Sequence, residues 1–485
     1  MTDTRNDPSA APAATPAATP AATSAATSAA TPAATLVSPR RWAVWAVLLA
    51  AGGTFALTMG TRQSMGLFLS PLNTATGLGL GSISLAFAFG QLWWGLTQPF
   101  AGAMADRVGA GRVLAVGVCL VALGTLLTPY MTSTAGLILA IGVLSAGGAG
   151  MAGPAVLMAT TTRLIPPERR GLATGIVNAG GSVGQFVMAP VAGALLVGLG
   201  WVDAMQVMGA LVLLALPAAW VLSGAPSSGA SAGGASTGGA PAGGASVIGG
   251  APTSGAAGRP SATSGAAATP SAAGAAPAPA GSTRDAIVAA LRHPSFLMLA
   301  AGFFVCGFHV AFLGTHLPGV IASCGLPVQF GAWSLAMLGL FNIIGSIAMG
   351  WAVGRWRMKS LLSLVYAARA VAVALFLLAP KTGTVMLVFA AVMGLTFLST
   401  VPPTAGLVAK FFGIRHMATL FGLVMLTHQV GGFLGAWLGG RVFEATGNFN
   451  LVWYADIVLA VGAALIHLPI REARLPQAAP QQQPA

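Results

Sequence analysis

Twelve apolar runs, each long enough to cross a bilayer as a helix, are spaced along this chain and separated by short polar or basic junctions. They predict helices over 42–69, 82–104, 112–130, 135–163, 171–199 and 203–222, and again over 294–322, 329–353, 360–379, 384–410, 416–442 and 450–469. Within lipid a helix satisfies all of its own backbone polar groups, so such runs need no partner strand.

Two long tracts break the pattern. Residues 1–38 repeat Ala, Thr and Pro (Ala13-Ala14-Thr15-Pro16), and no apolar core of a signal peptide precedes Arg40. Residues 223–285 form a Gly/Ala/Ser/Pro linker containing Gly238-Gly239-Ala240-Pro241. The expected organisation is a disordered cytoplasmic tail (1–38), a six-helix bundle (39–222), a disordered cytoplasmic linker (223–285), a second six-helix bundle (286–472) and a disordered tail (473–485).

Composition supports this reading. The 485 residues are 55% hydrophobic and 6% charged, with a mean hydropathy of +0.82. Soluble domains carry about 25% charged residues, so the surface a soluble enzyme needs is missing. The net charge of +13 does not indicate nucleic acid, because the basic residues punctuate apolar runs instead of forming one face. They fall on one side of the predicted membrane: Arg40 and Arg41, Arg107 and Arg112, Arg163, Arg169 and Arg170, Arg259, Arg284 and Arg292, Arg355, Arg357 and Lys359, Lys410 and Arg415, Arg471 and Arg474. The other side holds only Lys381 and Arg441. Positive loops stay inside, which places both termini and the linker in the cytoplasm and makes the chain a multi-pass protein of the cytoplasmic (inner) membrane.

Two sets of six helices around a long connection predict related halves flanking a midplane site. A repeated segment agrees. After the second helix the chain reads Gly102-Ala-Met-Ala-Asp106-Arg107-Val-Gly109-Ala-Gly-Arg112, and after the eighth Gly350-Trp-Ala-Val-Gly354-Arg355-Trp-Arg357-Met-Lys359. The first copy resembles the G-x-x-x-D-R-x-G loop of the major facilitator superfamily. It departs in its delayed basic residue, Arg112, and the second copy has Gly354 where an acid would sit. The implied fold is all-α: twelve transmembrane helices in two pseudo-symmetric six-helix bundles. The chemistry of the loop suggests a latch between the halves on the cytoplasmic side. Asp106 would accept hydrogen bonds from neighbouring helix N-termini, and Arg107, Arg112 and Arg355 would reach carboxylates or helix C-termini, with Gly102 and Gly109 shaping the turn.

Within that superfamily the chain is similar to the monocarboxylate-transporter-like branch, which includes oxalate/formate exchangers. The similarity is carried by Gly60-Thr61-Arg62-Gln63-Ser64-Met65-Gly66-Leu67-Phe68, Gln98-Pro99-Phe100-Ala101-Gly102, Leu340-Phe341-Asn342-Ile343-Ile344-Gly345-Ser346 and Thr427-His428-Gln429-Val430-Gly431-Gly432. It implies a small carboxylate as substrate, often moved with protons. The acid and arginine of eukaryotic members in the eighth helix are replaced here by Asn342 and Ser346, so their mode of proton coupling does not carry over.

An ionisable residue inside a span costs at least about 2.5–3.5 kcal/mol on insertion scales, so each one points to a partner or to water. Arg62 offers a fork of donors matched to a carboxylate, against the plainer alternative of snorkelling to the outer interface. Arg369 and Asp456 are read as a structural ion pair between the ninth and twelfth helices, the alternative being Arg369 as a second anion ligand. His309 and His428 are candidates for substrate or proton contact. Asn178 and Gln185, seven residues apart on one helical face, join Asn342, Gln91 and Gln98 as candidate polar lining, the alternative being hydrogen bonds between packed helices, and Trp93, Trp94 and Phe341 are candidates to shape the cavity. The substrate-binding set is therefore Arg62, Asn178, Gln185, His309, Asn342 and His428. No metal-ligand spacing, cofactor motif or phosphate-binding loop occurs, so a proton or solute gradient must supply the energy. The expected function is secondary transport of a small organic anion by alternating access, with a proton or counter-solute and the lipid bilayer as partners, no nucleic acid, and a monomeric state. The alternative is drug/proton antiport of amphipathic compounds.

Overall fold

The structure is a computed structural model that describes residues 41–166, 169–223, 283–413 and 416–472. The expected tails 1–38 and 473–485 lie outside the described residues, as does nearly all of the linker 223–285. The described residues contain helices and no strand.

The first half holds α1 (Val44–Thr76), α2 (Leu80–Val108), α3 (Ala110–Tyr130), α4 (Thr134–Leu164), α5 (Arg170–Leu199) and α6 (Trp201–Leu222). The second holds α7 (Pro294–Ser323), α8 (Val328–Val353), α9 (Met358–Leu378), α10 (Gly383–Phe412), α11 (Met417–Thr446) and α12 (Asn450–His467). A short amphipathic helix, Thr283–Arg292, leads into α7. Eleven of the twelve long helices are long and apolar enough to cross a membrane. The exception, α2, has 29 residues and so spans about 43 Å. What it lacks is apolarity, because one face carries Gln91, Trp94 and Gln98.

Packing obeys a two-fold relation between the halves. Helix α1 packs along α5 as α7 packs along α11; α3 meets α6 as α9 meets α12. Across the halves, α2 lies on α11 and α5 on α8, which are exchanged by the same relation. Glycine permits the tightest of these approaches. A Cβ at Gly184 of α5 would lie 2.6 Å from the Ala56 Cα of α1, and one at Gly435 of α11 would lie 2.9 Å from the Phe308 Cα of α7. Without a hydrophobic force between helices in lipid, such backbone proximity is a main source of association.

Two symmetry-related helices are broken, which the sequence expectation of continuous spans did not include. Helix α4 widens to a π-type turn over Ile138–Ser145 and restarts at Pro154 after Gly153. Helix α10 is interrupted at Phe397–Thr400 and resumes at Val401, with Pro402 and Pro403 in its new first turn, where missing N–H groups cost nothing. The freed polar groups in α10 are satisfied by neighbours. Leu398 N donates to Asn342 Oδ1 at 3.1 Å, and Arg369 Nη2 donates to the carbonyl oxygens of Thr396 and, at 2.8 Å, Phe397. A cation at a half-helix C-terminus also meets the negative end of its dipole.

Candidate functional site

The two halves enclose a cavity of about 1360 Å³. It is open at the end that carries Asp106 and closed at the other. Four glycines mark the open end: Gly102 of α2, Gly175 of α5, Gly350 of α8 and Gly422 of α11 all line the cavity, and a Cβ on any of them would meet nothing within 4 Å. At the closed end, a Cβ at Gly193 of α5 would touch Ala332 Cβ of α8 at 2.5 Å, and one at Gly440 of α11 would touch Ser84 Cβ of α2 at the same distance.

A polar bond ties the closed end. Glu444, near the end of α11, accepts from the backbone N of Gly81 in the first turn of α2 at 3.2 Å, and pairs with Arg441 at 3.1 Å. A carboxylate at a helix N-terminus is favoured by both its free N–H groups and its dipole. Glu444→Ala should therefore loosen this closure. In a background freed of Cys119, Cys306 and Cys324, a Leu67→Cys reporter, whose position is sealed near Gly331, should then react severalfold faster with a maleimide; unchanged labelling would show that Glu444 does not hold the end shut.

The expected latch residues stand at the open end. Asp106 is bonded to Arg163 of α4 at 2.6 Å, within its own half, so it does not bridge the halves in this conformation. The cavity is open here, and among the described residues Asp106 makes no bond to the second half. Gly109, with φ +95°, makes the sharp junction of α2 and α3. Arg107 and Arg112 flank it and are exposed, and Arg355 stacks on Trp351 at 3.7 Å.

Arg62 occupies the depth of the cavity from α1. It lies on the helix face shared with Phe55, Met59 and Gly66, one stretch before α1 tightens over Met65–Phe68. Its Nη2 donates to Gln91 Oε1 of α2, and its Cζ sits 5.2 Å from the centre of the Trp94 ring. No carboxylate among the described residues lies within ion-pairing distance of it. It does not snorkel outward. Gln91 in turn reaches Gln429 of α11, Nε2 to Oε1, at 3.4 Å.

Asn178, Asn342 and His428 also line the cavity. Asn342 is 3% exposed and already bonded, donating to Ser182 Oγ at 2.8 Å while supporting the α10 break. His428 packs on Phe303 with ring centres 5.0 Å apart, and its Nδ1 has no partner. Gln91 and Trp94, expected as polar lining and as a shaping aromatic, line the cavity, as does Gln429; none of the three belongs to the expected binding set. Their i, i+3 spacing within α2, and the adjacency of Gln429 to His428, were the available signals.

Three expected assignments differ in the structure. Gln185 is outside the cavity, buried where α5 meets α8, with its Cβ against the space at Gly339. His309 faces α12, not the cavity: its Nε2 lies 3.0 Å from Asp456 Oδ1 and 3.2 Å from the Asp456 carbonyl oxygen. Asp456 is thus partnered by His309 and not by Arg369. The guanidinium of Arg369, 1% exposed, is turned to the α10 carbonyls and to Cys306 Sγ at 3.7 Å, away from both Asp456 and the cavity. Carbonyls opened by the helix break compete successfully for it.

Comparison with known proteins agrees with this architecture. A sequence model described as Major Facilitator Superfamily matches residues 52–436. The chain is 26% identical over 431 residues to Monocarboxylate transporter 13 of Rattus norvegicus, covering 88% of this chain and 89% of that one. It is 23% identical over 434 residues to the MFS-type transporter YcxA of Bacillus subtilis (strain 168), covering 87% and 94%. Among solved structures, a mutant of the nucleoside transporter NupG superposes with a TM-score of 0.67 at 15% identity, over 88% of this chain and 99% of that one. A D-xylose-proton symporter does so with a TM-score of 0.58 at 14% identity, over 88% and 96%. At such identities the structural likeness speaks for the fold, while the sequence match over most of the length speaks for kinship. The chain is a multi-pass membrane protein that belongs to the major facilitator superfamily.

Proposed function

We propose that this protein is a secondary transporter of a small organic anion, a monocarboxylate, working by alternating access. The observation that carries the reading is the Arg62 guanidinium deep in the cavity, held among the described residues only by a neutral amide and an indole face. A half-buried cation without a counter-ion is costly, and a substrate carboxylate would supply both the charge and the two-pronged geometry a guanidinium prefers. Asn178 and His428 furnish further polar contacts. The similar monocarboxylate transporters are consistent with this substrate class.

The open mouth lies among the basic junctions, beside Asp106, Arg163 and Arg355, so by the rule that positive loops stay inside this is a cytoplasm-facing conformation of an inner-membrane protein. The four unfilled glycines at the mouth are suited to close contact when the halves rock the other way, as Gly193 and Gly440 make now. The latch expected of Asp106 belongs to that opposite state. An amphipathic cation finds little here: among the described residues lining the cavity the sole carboxylate, Asp106, is already paired with Arg163.

Uptake of radiolabelled acetate, pyruvate, lactate and benzoate into proteoliposomes, with and without an inward proton gradient, tests the reading. At least one should accumulate well above protein-free liposomes, and stimulation by the gradient would mark proton coupling. Transport of cationic amphiphiles with none of the carboxylates would overturn it.

A further inference from the structure

We propose that Gln91 is a resident stand-in for the substrate carboxylate, and that Trp94 and Gln429 are donors held in reserve for it. This inference rests on the anion reading of Arg62 and extends it to how the empty site is kept and how it responds to binding.

The argument begins with donors and acceptors. Arg62 can only donate, so the amide it meets must present oxygen: Gln91 Oε1. That fixes the Gln91 amide, whose Nε2 then points to Gln429 and requires Gln429 to present Oε1 in turn. Gln429 is left with its own Nε2 as a spare donor. That nitrogen is buried, in a side chain 2% exposed, and has no partner. The Trp94 Nε1, in a side chain 8% exposed and stacked beside Arg62, is likewise buried without a partner. Both residues line the cavity. A buried donor left unpaired is costly, so two of them in the cavity of a cation that has no counter-ion among the described residues form a set that lacks one thing, an acceptor-only group. A carboxylate accepts at both oxygens and donates at neither.

Packing places this set at the seam between the halves. Gln429 of α11 lies over Gly95 of α2, where a Cβ would stand 2.9 Å from its Nε2. Gln91 of α2 lies over Gly432 of α11, where a Cβ would stand 2.7 Å from its Cγ. Each glutamine fills the notch made by the other helix's glycine, so the amide bridge that neutral Gln91 makes is also a bridge across the halves. A carboxylate arriving at Arg62 displaces the Gln91 oxygen, breaks that bridge and takes Trp94 Nε1 and Gln429 Nε2 in its place. Substrate binding is thereby exchanged for a cross-half contact between α2 and α11.

The test uses the full-length protein in proteoliposomes, with whichever of radiolabelled acetate, pyruvate, lactate or benzoate the wild type accumulates as probe. Gln91→Ala removes the competing oxygen and should lower KM about ten- to a hundredfold, the expected worth of a lost hydrogen bond to a charged group. A merely structural Gln91 predicts the opposite, a raised KM. Gln91→Glu, nearly isosteric, installs a permanent counter-ion for Arg62 and should abolish uptake while the protein remains monodisperse and at least as heat-stable as wild type. Gln429→Leu and Trp94→Phe should each raise KM about tenfold. If Gln91→Ala weakens binding or Gln91→Glu transports normally while Arg62→Gln is inactive, the stand-in is refuted and the anion site survives. If Arg62→Gln transports at the wild-type rate, the anion site itself falls and this inference with it.

Discussion

Arg62→Gln is expected to cut carboxylate uptake into proteoliposomes by about two orders of magnitude, because truncating one side of a desolvated charge pair typically costs about 2–5 kcal/mol. The fold should survive the change. Among the described residues Arg62 has no ion-pair partner whose charge would be orphaned, and its contacts with Gln91 and the Trp94 ring are with neutral groups. Monodispersity and melting temperature in detergent should therefore stay near wild type, which separates loss of binding from loss of structure. Arg62→Lys keeps the charge but loses the fork and much of the stacking on Trp94, so an intermediate loss with raised KM is expected. Equal uptake by wild type and Arg62→Gln would end the anion reading, whatever the substrate panel had shown.

What the sequence disclosed follows from which signals are local. Helix number, the paired halves and the Gly102–Asp106 segment were legible because apolar length, junction charge and a short motif lie within contiguous residues. Arg62 was legible for a related reason: a charge inside an apolar run has few places to go. Depth along a helix was harder to read than its face. Asn178 and Gln185 share a face of α5, yet the halves have parted at the level of Asn178 and are pressed together at Gln185, where α8 offers Gly339. Only the first of the two lines the cavity. The breaks in α4 and α10 were signalled by Gly153-Pro154 and Pro402-Pro403, and overlooking the second concealed the carbonyls that capture Arg369. Partner choice was the least accessible feature, because it depends on the rotation of whole helices about their axes.

That last point bears on a buried charge outside the transport path, and it yields a second large effect. Asp456→Leu is expected to destabilise the protein by about 3–5 kcal/mol, read as a lowered midpoint of chemical unfolding in detergent, since it strips a fully buried pair of one member. His309→Leu should cost a comparable amount by orphaning the carboxylate. The double variant His309→Leu, Asp456→Leu should recover most of the loss, because replacing an entire buried pair with apolar side chains is often neutral or better, and the interaction energy of the cycle should be correspondingly large. The reciprocal exchange Arg369→Asp, Asp456→Arg should show no such recovery. Arg369 directs its Nη2 to the open carbonyls of Thr396 and Phe397, and an aspartate placed there would meet like partial charge. Rescue by the arginine exchange, with additivity in the histidine cycle, would restore the pairing that the linear sequence suggested and remove the basis for treating the α10 break as the anchor of Arg369.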